Sequence, residues 1–193
     1  YESEINYDHN PLPALKSLDN NDRVIYLSSL SKTLSPGLRM GYMVGPVELI
    51  RELRALRRLM LRHPASNNQR SVALFLARGY HDTLVRNIVH VYRERCRLVK
   101  EVLDKYLPDS AQPPTYGGSS YWVRGPAYLD SRLLKDLAAD AGILIEPGDI
   151  HFLSDNPPLN FFRLGFSAIA ENKIEEGIKK LADIIHSMAP TNA

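Results

Sequence analysis

Apolar residues recur along the chain with two different periods, and the change between them marks its elements. After a polar, proline-bearing start with one short helical turn around Ala14 to Leu18, Val24 to Leu27 is a short apolar run rich in strand formers. It predicts a buried strand. Ser28 to Thr33 follows, then the turn signal Pro36-Gly37 and a second short strand over Met40 to Gly45. Pro46 opens a helix at the position where its missing N–H costs nothing, and Leu49, Leu53, Leu56 and Met60 recur on one face of it. His63-Pro64-Ala65 breaks that helix. Ser66 or Asn67 caps the next, which runs through Gln69, Val72 and Leu76 to Gly79. A long amphipathic helix is expected from about Asp82 to Tyr106.

Beyond the prolines at 108, 113 and 114 the pattern alternates again. Tyr121 to Val123 predicts a strand, and Asp130 caps a helix through Leu133, Leu137 and Ala138 that ends at Gly142. Ile143 to Ile145 predicts a strand closed by a Pro147-Gly148 turn. Phe161 to Phe166 predicts another, and Glu171 to Met188 a final amphipathic helix. Strands alternating with helices indicate a layered α/β or α+β fold, with a boundary along the long helix.

Composition narrows the function classes. The 193 residues carry 44% hydrophobic and 24% charged side chains and a net charge of +2, ordinary for a globular chain and too weakly basic to argue for nucleic acid. The one cysteine, Cys96, excludes an internal disulfide. No apolar run reaches the roughly 18 residues that would span a bilayer, so no membrane partner is expected and the default location is cytoplasmic. The chain opens Tyr1-Glu2-Ser3-Glu4 without an initiator methionine, which suggests a fragment. The histidines show no metal-ligand spacing, so no metal is assigned. Arg51, Arg54, Arg58 and Arg62 form a basic stripe best read as a solvated helix face.

The candidate chemistry sits after the first strand. A lysine there, Lys32, flanked by small hydroxyl residues, is accessible and can form a Schiff base with an aldehyde once its surroundings lower its pKa. Ser29, Ser31 and Arg39 supply the hydroxyl donors and the guanidinium fork that hold a phosphate well. Arg163 lies inside an apolar strand, where an unpaired cation is costly. Either a ligand carboxylate or an internal acid such as Glu146 pairs it.

Ser29-Leu30-Ser31-Lys32-Thr33-Leu34-Ser35-Pro36-Gly37-Leu38-Arg39-Met40-Gly41-Tyr42 resembles the cofactor-lysine segment of fold-type I pyridoxal-phosphate aminotransferases. The resemblance implies that Lys32 carries the cofactor, that Arg39 binds its phosphate with help from Ser29 and Ser31, and that Tyr1 bonds its phenolic oxygen. Asn160 to Ser167 resembles the family's segment around the carboxylate-binding arginine, here Arg163. The implied fold is α/β, the C-terminal part of a fold-type I transferase. Residues 1–90 would finish the large cofactor domain and residues 91–193 would form the α+β small domain. The pyridinium aspartate, the phosphate-cradling loop and the stacking aromatic would precede this chain, so the fragment itself need not hold the cofactor.

Two further segments, Asn10 to Asp19 and Leu61 to Ala65, resemble MocR/GabR-type regulators of the GntR family. In those proteins an aminotransferase-like domain senses an amino acid or amine through aldimine exchange. The expectation is therefore an effector domain of such a regulator, homodimeric when complete, reaching DNA only through an N-terminal domain. The alternative is a free-standing aminotransferase of the aminoadipate or kynurenine type.

Overall fold

The structure, a computed structural model, describes residues 4–7, 12–112, 114 and 117–190. Its contacts divide the chain into two compact units, residues 1–89 and 90–193.

In the first unit, β1 (Tyr26–Ser29) and β2 (Gly41–Val44) pair antiparallel, with Ser29 opposite Gly41. Asp19 fixes the entry to β1. Its carboxylate accepts the backbone N–H groups of Asn21, Arg23 and Val24 and a bond from the Lys16 ammonium. The strand begins two residues later than Val24 and is not buried as expected: Leu27 and Ile25 are exposed. Burial depends on what lies against a strand, and among the described residues β1 and β2 have only each other as sheet neighbours.

Helices α1 (Val47–Leu61) and α2 (Ser66–Ala77) follow, and α3 (Tyr80–Tyr106) begins here. Pro46 sits one residue outside α1 and no residue of that helix is buried, so the stripe through Leu56 and Met60 faces outward. Neither Ser66 nor Asn67 caps α2. Ala65 holds the cap position, and the Gln69 side chain reaches back to the Pro64 carbonyl instead. Gly79, at φ +70°, ends the segment as expected.

The second unit is an antiparallel sheet in the order β3-β4-β6-β5, with β3 (Ala111–Gln112), β4 (Ser120–Arg124), β5 (Glu146–Pro147) and β6 (Phe161–Gly165). Tyr121, Val123, Phe162 and Leu164 point from one sheet face into a core shared with the C-terminal half of α3, with α4 (Ser131–Asp140) and with α5 (Glu171–Ser187). The α5 contribution, Ile174, Ile178, Leu181, Ala182 and Ile185, is one helical stripe. Asp130 caps α4 by accepting the Arg132 N–H, and Gly142 at φ +79° ends it. Ile143 to Ile145 is not a strand; pairing starts at Glu146 and includes Pro147. A proline is tolerated there because β5 is an edge strand, where a missing N–H breaks no inner ladder.

Candidate functional site

Lys32 lies in the eleven-residue connection between β1 and β2. The connection starts as a closed ladder, with Leu30 N–H donating to the Met40 carbonyl at 3.0 Å. It then makes one helical turn, Leu34 N–H to the Leu30 carbonyl at 2.9 Å, which carries Lys32 outward to an exposed position. Leu34 and Leu38 tuck back against Val72, Phe75 and Leu84 around an apolar cleft of about 230 Å³. The loop is thus anchored on α2 and α3 while its lysine faces out.

Gly41 has to be a glycine. A Cβ there would stand 2.6 Å from the Ser28 carbonyl oxygen, closer than side chains approach backbone. Ser29 Oγ accepts the Ser31 N–H at 3.2 Å, which occupies a lone pair and leaves the hydroxyl proton available to an external acceptor. Arg39 adopts a left-handed conformation, φ +49°, at the end of the Pro36–Leu38 3-10 turn. Such a backbone is uncommon for a residue with a side chain. Asn68 of α2 donates to the neighbouring Leu38 carbonyl at 3.4 Å and helps hold that turn. Ser29, at the end of β1, and Ser31, Lys32 and Arg39, in the connection that follows it, therefore belong to one hairpin. Beside Lys32, Thr33 is buried, and its Oγ1 has no partner among the described residues.

This donor set fits pyridoxal phosphate chemically. It offers an accessible primary amine for the aldehyde, and hydroxyl protons with a guanidinium for the phosphate. Tyr1, expected at the phenolic oxygen, lies outside the described residues. A cleft of about 830 Å³ includes Ser29, Gly41 and Tyr42, but neither Lys32 nor Arg39. It is the open flank of β1, β2 and α1 rather than the surroundings of the lysine.

Arg163 stands in the second unit, on the sheet face opposite the core. Its register partners are Trp122 on β4 and Glu146 on β5. Nη1 donates to Glu146 Oε2 at 2.8 Å and Nε to Ser120 Oγ at 3.0 Å. His151 Nε2 lies 3.6 Å from the other Glu146 oxygen. The hydrogen bond from Arg163 holds the Glu146 carboxyl below the usual range; partial burial opposes it, and the Arg163 and His151 charges add to it. Of the two partners open to Arg163 in the sequence, the acid Glu146 is the one in place here. Ser120 was not anticipated; its position two residues before Trp122, on the same strand face, is the signal that finds it.

Cys96 is half-buried, in contact with the Tyr121 hydroxyl at 3.2 Å, and burial pushes its thiol pKa up. Arg51, Arg54, Arg58 and Arg62 are exposed, Arg51 paired with Glu48. No helix among the described residues is long and apolar enough to cross a membrane.

Comparison with known proteins places these features. Residues 3–181 match the family Aminotransferase class I and II. The chain is 40% identical over 186 residues to the HTH-type transcriptional regulator TauR of Rhodobacter capsulatus, covering 94% of this chain and 38% of that protein. Among solved structures, a Pyrococcus horikoshii kynurenine aminotransferase in complex with PMP superposes with a TM-score of 0.88 and 32% identity, over 98% of this chain and 47% of that one. LysN, the α-aminoadipate aminotransferase of Thermus thermophilus complexed with N-(5'-phosphopyridoxyl)-L-leucine, gives a TM-score of 0.87 and 27% identity over 96% of this chain and 48% of that one. The chain thus spans less than half the length of each of these proteins.

Proposed function

We propose a function from one premise: the chain belongs to the aminotransferase class I and II family. Its units are the end of a large cofactor domain and a small domain. Together they form part of the pyridoxal-phosphate effector domain of a MocR/GabR-type regulator that senses an amino acid or amine. The observation that carries this reading is the similarity to TauR, named as an HTH-type regulator, across 94% of the chain. In the complete protein, DNA contact would come from a helix-turn-helix outside this chain, and the working form would be a cytoplasmic homodimer.

Pyridoxal phosphate, when bound, supplies an aldehyde that captures primary amines and an electron-withdrawing ring. Lys32 Nζ would be the amine that holds that aldehyde, and as a free amine it would be a base able to accept a proton. Ser29, Ser31 and Arg39 would hold its phosphate through hydroxyl protons and the guanidinium. The left-handed backbone at Arg39 and the Asn68 bond to Leu38 fix the turn from which that guanidinium projects. Arg163 receives the carboxylate of the amino compound.

The second reading is a free-standing aminotransferase, favoured by the kynurenine aminotransferase likeness. One experiment separates the two. The complete protein, loaded with cofactor, is titrated with amino acids while absorbance is followed, and a 2-oxo acid is then added. A sensor shifts its spectrum without sustained product formation, and its affinity for DNA changes with the amino compound. Steady accumulation of a new amino acid, with no DNA binding, overturns the sensor reading in favour of the enzyme.

A further inference from the structure

Arg163 meets any anion with part of its guanidinium already engaged. A carboxylate binds arginine best through two parallel bonds, either at the end of the guanidinium or along the side that includes Nε. Glu146 engages Nη1 at the end and Ser120 engages Nε on the side, so each fork has one member taken. An arriving carboxylate also meets a like charge, since Glu146 Oε2 is only 2.8 Å from the guanidinium. Two carboxylates sharing one cation repel.

The pair is half-exposed, with Arg163 at 37% and Glu146 at 41% side-chain accessibility. Ion pairs in such settings are weak and exchange readily. A destination for Glu146 already exists. His151 Nε2 lies 3.6 Å from Oε1, the oxygen that Arg163 does not hold. His151 follows a turn that is packed against β4 and β6 at Gly148. The Gly148 N–H donates to the Phe161 carbonyl at 2.8 Å, and a Cβ on Gly148 would strike that carbonyl and the Trp122 ring, both at 2.7 Å. The imidazole then packs edge-on against Trp122, centroids 5.6 Å apart.

We infer that Glu146 is a resident counter-ion that a ligand carboxylate displaces from Arg163 toward His151, so that Glu146 and His151 set how far the site prefers amino acids over simple amines. This rests on the reading of Arg163 as the carboxylate receptor. A monoamine has no acid and leaves the pair intact, so Glu146 weakens the binding of acids only.

The test compares L-alanine with ethylamine, and L-leucine with 3-methylbutylamine, by cofactor absorbance in the complete protein and its variants. Glu146→Gln keeps the shape of the side chain and removes its charge. It should tighten both amino acids about tenfold, as expected for removing a weak competing ion pair, and leave both amines unchanged. His151→Ala should weaken the amino acids several-fold when Glu146 is present and have no effect in the Glu146→Gln background. Equal shifts for acids and amines, no shift, or weaker amino acid binding by Glu146→Gln would each overturn the inference.

Arg163→Gln separates the two levels. If it leaves the acid-over-amine preference intact, the carboxylate reading of Arg163 fails and takes the inference with it. If it abolishes the preference while Glu146→Gln changes nothing, only the role of Glu146 fails. A cofactor-independent readout is the Arg163 Nε–H resonance during titration with propionate, which should move at lower propionate concentration in Glu146→Gln than in the parent.

Discussion

The two units bury their apolar residues very differently. The contiguous core, from Val99 on α3 through Phe162 and Phe166 to Ile185 on α5, lies wholly in residues 90–193. Among the described residues of 1–89 the buried apolar side chains are Ile5, Leu30 and Val72, while Leu27, Met43, Leu56, Leu59, Met60 and Leu61 are exposed. Both units have amphipathic elements, but among the described residues a contiguous buried core forms in the second, while the first has smaller contacts such as Leu34 and Leu38 against Val72 and Phe75. The chemistry is divided along the same line. Lys32 and its hydroxyl and guanidinium neighbours sit on the sparsely packed unit, and the Arg163–Glu146 pair sits on the outer face of the well-packed one.

The sharpest way to break this contrast is to remove a core side chain. Phe162→Ala should cost about 3–5 kcal/mol of the stability of the second unit, read as a lower denaturation midpoint by urea titration. A loss under about 1 kcal/mol would mean that the core is not cooperative. In the first unit the comparable lesion is to backbone rather than core. Gly41→Ala forces apart the strand pair that frames Lys32 and should cost about 1–3 kcal/mol, with amide exchange faster through residues 26–44.

Acid should reverse the order of weakness. Asp19, Glu146 and Glu175 all have carboxyl pKa values lowered in the folded chain, chiefly by bonds from Lys16, Arg163 and Lys105 respectively. A lowered folded pKa contributes stability above the unfolded value, about 4, and that contribution is lost as pH falls through the folded value. Asp19, with three backbone N–H donors besides its lysine, is the most strongly lowered. In a carboxyl-carbon NMR titration it should therefore protonate last, so that the entry turn to β1 outlasts the ion pairs of the second unit. The smallest effect belongs to Leu59→Ser on α1. Leu59 is 85% exposed, and its replacement should change the unfolding free energy, read by urea titration, by less than about 0.5 kcal/mol.

The same contrast governs what the sequence reveals. In the second unit periodicity and burial agree along α5 and the Asp130 cap of α4 is readable, whereas Leu133 and Leu137 of α4 are exposed. Another exception is β5, where apolar Ile143 to Ile145 looks like a strand but pairing falls on Glu146 and Pro147. Edge position, which local pattern does not encode, permits that proline. In the first unit the elements are readable but their environment is not. Val24 to Leu27 has the composition of a buried strand and lies open, because burial is a property of neighbours rather than of the run itself.

The lysine connection was visible as Ser29, Ser31, Lys32 and Arg39, since small residues and a turn signal follow a strand. Its supports were not. Asn68 and the steric demand at Gly41 are long-range facts, and Ser120 enters only through strand register. Both candidate partners of Arg163 were legible; which of them occupies it depends on the register that sets Glu146 beside it.

The central claim is that Lys32 is the covalent anchor of the cofactor. The complete protein, incubated with pyridoxal phosphate, reduced with borohydride and digested, locates the anchor by peptide mass. The account predicts a phosphopyridoxyl group on Lys32, lost in Lys32→Ala with no other lysine taking it up. A stable adduct at another lysine, or none at all in a protein that binds the cofactor, would contradict it.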